Sequence, residues 1–188
     1  MKMMFSLAAM ACSLSAGVIY IISIFKGPTR PQRITWLLWS ILGVVYLLAA
    51  IRSHGNVIYS AAALFQPFII FLLALKFGVG GKSRLDLISL VIAFSALVLL
   101  AFTKSPIMSI LLCLFVDAIG AALTIRKIIL DPKSEPRVMW LISACGGAFA
   151  LLGLHDYQLV NVLFPGYIAI LGLITFTLVS IPRIQRTA

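Results

Sequence analysis

Apolar residues in this chain do not alternate with polar ones. They come in seven long runs, at about 4 to 25, 34 to 51, 57 to 75, 85 to 103, 107 to 129, 138 to 154 and 159 to 181. Each is near the roughly 17 to 25 residues that a helix needs to cross a hydrocarbon layer. Inside such a layer every backbone amide must be paired within its own segment, so helix is the expected state of each run. No polar stretch between them is longer than a linker, which predicts a single all-α membrane domain over 1–188 with seven transmembrane helices.

Composition strengthens this reading. The chain is 62% hydrophobic and 11% charged, with a mean hydropathy of +1.14, far from a domain whose surface must be solvated. A net charge of +10 would suggest nucleic acid in a soluble protein. Here the lysines and arginines cluster at the ends of apolar runs, so they read as topology anchors and nucleic acid is not an expected partner. The opening MKMMFSLAAMACSLSAG imitates a signal peptide, but the apolar run continues to Lys26 and is read as a retained first helix. Cys12, Cys113 and Cys145 lie inside apolar runs without CxxC or Cys/His spacing. They are expected to pack as small hydrophobes, with no disulfide, metal or cofactor.

The turns vote on orientation. Lys26, Arg30 and Arg33 follow the first run; Lys76, Lys82 and Arg84 follow the third; Arg126, Lys127, Lys133 and Arg137 surround the turn after the fifth; Arg183 and Arg186 are in the tail. The other side has Lys2, Arg52 and Lys104. A ratio of about twelve to three predicts an outside amino terminus and a cytoplasmic carboxyl terminus in a cell (inner) membrane. His54, His155 and Asp156 would then sit in solvated outer loops. Asp131 and Glu135, in the turn with Lys133 and Arg137, read as capping and surface pairing.

The chain also repeats itself. At an offset of about 104 positions, KGPTRPQRITWLLW meets LDPKSEPRVMWLIS: Pro28 falls on Pro132, Arg33 on Arg137, Trp36 on Trp140 and Gly43 on Gly147. Matched Pro, Arg, Trp and Gly are improbable from composition alone. With a small further shift LFQPFII from Leu64 meets LFPGYIAI from Leu163. Two three-helix repeats follow, 4–76 and 107–181, with 84–103 as an unmatched linker helix that keeps both repeats parallel about an axis normal to the membrane.

This three, one, three layout resembles the SWEET sugar transporters of the MtN3/PQ-loop superfamily. The basic turns FKGPTRPQRITW and RKIILDPKSEPRVMW stand where that family has a Lys-rich turn before the second helix of each unit. Neither SLSAGVIYIISIF nor LFVDAIGAALTI carries the family's first-helix proline. Pro31-Gln32 starts the second helix instead of ending the first, and is not taken as the family's PQ motif. The chain reads as a divergent member. The resemblance implies transport of a small polar solute, a sugar among the choices, at a site built from the third and seventh helices.

Asp117, near the middle of the fifth run, is the sharpest residue. A carboxyl there costs about 2.5 to 3.5 kcal/mol to insert, so it should face a partner or a wet cavity. It reads equally as a substrate-binding or proton-coupling group and as a helix-helix hydrogen bond made by a protonated acid, the lack of a cationic partner favouring a neutral or water-contacting state. No midplane Lys or Arg is available to pair with it. Gln66 and Asn161 would be polar substrate contacts by the resemblance, with an interfacial role the bland reading of Asn161. Pro67 and Pro165, inside helices, are candidate hinges. Trp36, Trp39 and Trp140 near the cytoplasmic boundary suit an aromatic belt, or more sharply a gate. Arg33 and Arg137 would reach phosphates or an adjacent helix end. Gly43 and Gly147 would permit close helix packing.

Acid-pair hydrolysis needs two facing carboxylates and metal chemistry needs His or Cys clusters. The chain offers neither, so no enzyme is expected. Two readings remain: an alternating-access carrier, and a non-transporting membrane protein that helps a partner assemble. The bilayer is the expected partner in both, with self-association left open.

Overall fold

A computed structural model describes the backbone of residues 1–52 and 57–181, and the side chains of 1–47 and 64–181. His54, Arg183 and Arg186, and the side chain of Arg52, lie outside the described residues. Within them the chain is all-helical: α1 Lys2–Phe25, α2 Arg33–Arg52, α3 Val57–Phe77, α4 Arg84–Phe102, α5 Pro106–Leu130, α6 Arg137–Leu152 and α7 Leu159–Ser180, with a 3-10 turn at Pro132–Ser134. Four of these, α1, α4, α5 and α7, are long and apolar enough to cross a membrane.

The helix boundaries follow local chemistry. Ser83 accepts from the Asp86 amide at 3.1 Å while Asp86 accepts from the Ser83 amide at 3.0 Å, a capping box that starts α4. Ser105 caps α5, with Pro106 in the first turn, where its missing N–H is no loss. Gly80 and Gly81, at φ +79° and +93°, make the left-handed turn between α3 and α4 that a β-carbon would strain.

Large apolar side chains cover the outside: Phe65, Leu87, Val91, Phe94 and Phe102 are all exposed. That surface suits lipid and not water, and the chain is accordingly a membrane-embedded, multi-pass protein. Inside, one cluster joins α2, α4 and α5 through Ile34, Leu38, Leu42, Ala96 and Val116; a second joins α1, α2, α3 and α6 through Ala16, Tyr20, Trp36, Ile70 and Trp140. The main packed pairs are α1 with α6 and α3, α2 with α5 and α3, α6 with α7, α5 with α7, and α4 against α5.

Small residues set the closest approaches. A β-carbon on Gly147 would stand 2.5 Å from the Ala169 nitrogen of α7, and one on Gly172 would stand 2.7 Å from the Ala144 nitrogen of α6. On Gly43 it would stand 2.8 Å from Cα of Leu64 in α3. Gly43 and Gly147 therefore let α2 press its backbone onto α3 and α6 onto α7.

The two ends of the bundle differ. At one end the three basic turns meet: the Arg30 amide donates to the Ser134 carbonyl at 3.0 Å, Val79 to Pro31 at 2.9 Å, and Arg33 to Val79 at 2.9 Å. At the other end the Lys2 ammonium lies 5.8 Å from the Tyr157 ring centre, and Phe5 stacks on Phe149. His155 and Asp156 are exposed there.

Candidate functional site

A cavity of about 500 Å³ runs between α1, α2, α3, α5, α6 and α7. Every residue singled out as a contact, hinge or gate borders it: Asp117, Gln66 and Asn161; Pro67 and Pro165; Gly43 and Gly147; Trp36 and Trp140. No residue of α4 does. Ser13 of α1, which stands 104 positions before Asp117, also lines the wall.

The floor, toward the basic end, is made of indoles. Trp36 and Trp39 meet edge to face at 4.9 Å between ring centres, and Trp39 and Trp140 at 6.3 Å. Trp36 is 3% exposed and Trp140 5%, which corrects the belt reading of both: their rings point into the protein, not toward headgroups. Their N–H groups have protein partners. Trp36 donates to the Tyr20 oxygen at 3.2 Å and Trp140 to Glu135 Oε2 at 3.0 Å.

Glu135 gathers the polar groups beneath that floor. Its Oε1 accepts from Tyr20 at 2.7 Å and from Lys127, whose Nζ also donates to the Arg30 carbonyl at 2.6 Å. Glu135 is 4% exposed. The surface-pairing reading is thus corrected: this is a buried ion pair with Lys127, and neither Lys133 nor Arg137 takes part. Buried charges persist only when paired and hydrogen-bonded, as both are here. Asp131 does cap, accepting from the Lys133 amide at 3.2 Å.

Pro31 and Gln32 are also buried. The Gln32 side chain donates to Asp86 at 2.8 Å and accepts from the Thr35 amide at 2.7 Å, so it caps α2 and ties it to α4. Arg33 donates to the carbonyls of Ala74 at 3.1 Å and Gly80 at 2.9 Å, reaching the adjacent helix end. Its repeat mate Arg137 is exposed.

Midway along the cavity Asp117, 7% exposed, accepts from the Tyr167 hydroxyl of α7 at 2.7 Å. The indole N–H of Trp39 lies beside the same carboxyl, and it and the Tyr46 hydroxyl are buried without a hydrogen-bond partner among the described residues. Tyr46 packs its ring 5.4 Å from Phe164. Gln66 projects from the α3 proline segment toward α1, where a β-carbon on Gly17 would lie 2.6 Å from its Cδ.

The mouth lies toward the opposite end, among Leu154, Val160 and Asn161. Asn161 is exposed and donates to the Asp156 carbonyl at 3.4 Å, as an interfacial residue would. Tyr167, Tyr46 and Tyr20, and the buried roles of Lys127 and Glu135, are absent from the sequence expectations. A phenol in the middle of an apolar run is the signal that could have flagged the first two, since its hydroxyl must find a partner. Among the described residues no group of three or more His, Cys, Asp or Glu is placed to hold a metal ion.

Compared with protein-family models, with characterised proteins and with solved structures, the chain finds no match.

Proposed function

We propose that the chain is a carrier of SWEET-like type, moving a small polar solute through the bilayer by rocking two three-helix units about the central cavity. The observation that carries this reading is the lining: repeat-related residues, Trp36 with Trp140, Gly43 with Gly147 and Ser13 with Asp117, face one shared space. A cavity on a repeat axis is where alternating access places its substrate.

Helix packing supports the repeat. Exchanging α1 with α5, α2 with α6 and α3 with α7 turns the α1–α6 contact into α5–α2, α1–α3 into α5–α7, and α2–α3 into α6–α7. Only α4 lacks a counterpart, as a linker should. The backbone bond from Arg30 to Ser134 puts both inter-helix turns at one end, which supports parallel units. By the charge rule that end is cytoplasmic, all seven helices span, and the cavity opens outward with its cytoplasmic side shut by the indoles and Glu135.

Asp117, Gln66 and Ser13 would contact the solute, and the indole floor would be the inner gate. Reconstituted protein should show counterflow of a labelled polar solute, reduced by Asp117→Ala. Silence across sugars, amino acids, organic acids and amines would replace transport with partner assembly. Lys104 is exposed, and Lys104→Cys should react with an impermeant thiol reagent from outside; protection would reverse the orientation.

A further inference from the structure

The solute class can be narrowed by the charge in the cavity. Asp117 is the one charged side chain among the described lining residues, with no lysine, arginine or histidine beside it, in a protein that carries a net charge of +10. The hydrogen bond made by its carboxyl is one it accepts, from Tyr167; among the described residues no acceptor takes a proton from it. As a carboxylate the group has the Tyr167 hydroxyl as a donor and no cation opposite it among the described lining residues.

The walls around it are aromatic. Trp36, Trp39, Trp140, Tyr46 and Phe164 all face the space. Aromatic faces attract cations within about 6 Å of the ring centre, with Trp the strongest. A neutral polyol or an anion entering here would leave the carboxylate uncompensated in a space of low dielectric, whereas a cation would cancel it.

We infer that the cavity binds a small organic cation, an alkylammonium or quaternary ammonium group held between the Asp117 carboxylate and the aromatic walls. This rests on the carrier reading only in treating the ligand as a transported solute.

The chain has three tryptophans and all of them line the cavity, so intrinsic fluorescence reports the site directly. Purified protein in detergent should be titrated with n-butylammonium and tetramethylammonium, and in parallel with n-butanol and glucose. Both ammonium ions should give a saturable fluorescence change, with none from the neutral probes at equal concentration. Asp117→Asn, if folded by circular dichroism, should bind the ammonium ions at least tenfold more weakly. Silence from both ammonium ions, equal responses to butanol, or unchanged binding by a folded Asp117→Asn would each overturn the inference. If that variant does not fold, the cation-against-neutral comparison on the unmodified protein decides alone. Ammonium binding without any flux would sink the carrier reading and leave the cation site standing; glucose flux without ammonium binding would do the reverse.

Discussion

At the basic end of the bundle Tyr20, Arg30, Trp36, Lys127, Glu135 and Trp140 close over the cavity in one continuous set of hydrogen bonds. At the opposite end the cavity is bordered by Leu154, Val160 and an exposed Asn161, with ring stacking and one cation-π contact nearby. The first end crosses from one proposed unit to the other with buried, directional bonds; at the second, the contacts named among the described residues are a ring stack and a cation-π contact. On the carrier reading, the bonded end is the one with a discrete closed state, because hydrogen bonds break at defined geometry while apolar surfaces shear gradually. The proposed carrier mechanism requires such an asymmetry in any one conformation.

The largest break in this comparison should come from Glu135→Ala. It strands the Lys127 ammonium and the Trp140 N–H in a buried site, and should cost about 3–5 kcal/mol, read as a lowered unfolding midpoint in detergent. The same variant should make Ser143→Cys, on the cavity wall, reactive to a thiol reagent applied from the basic side. Unchanged stability and unchanged protection together would mean that the network is not the seal.

Between the ends, Tyr167→Phe removes the donor to Asp117 and should destabilise by about 1–3 kcal/mol, less than Glu135→Ala because no charge pair is broken. A loss equal to that of Glu135→Ala would place the dominant polar contact at mid-depth. At the mouth, Asn161→Ala removes a single exposed bond of 3.4 Å and should stay within about 0.5 kcal/mol of the parent in the same unfolding assay. A larger loss would mean that the mouth is also fastened.

Helix positions were legible from apolar runs, with ends extended by a residue or two where Arg33, Arg84 and Arg137 open a helix. That extension is cheap, because a long basic side chain at a helix start can reach solvent or a neighbouring carbonyl, as Arg33 does. The residues matched at the 104-position offset, Trp36 with Trp140 and Gly43 with Gly147, all line the cavity. What repetition cannot give is azimuth. A helix apolar on every side carries no periodic signal separating lipid from interior, so the inward turn of Trp36 and Trp140 could not be read. Glu135 was illegible for a different reason. Its partners come from α1, α5 and α6, and nothing within ten residues of it announces Tyr20.

The bonds from Arg30 to Ser134, from Val79 to Pro31 and from Arg33 to Val79 join main chain to main chain. Such a seam is indifferent to which side chains occupy those positions, since almost any amino acid supplies the same amide and carbonyl. Drift at residues 30, 79 and 134 should therefore leave the clasp intact, and proline at 30, 33 or 79, which has no amide hydrogen to give, is the one replacement that unfastens it.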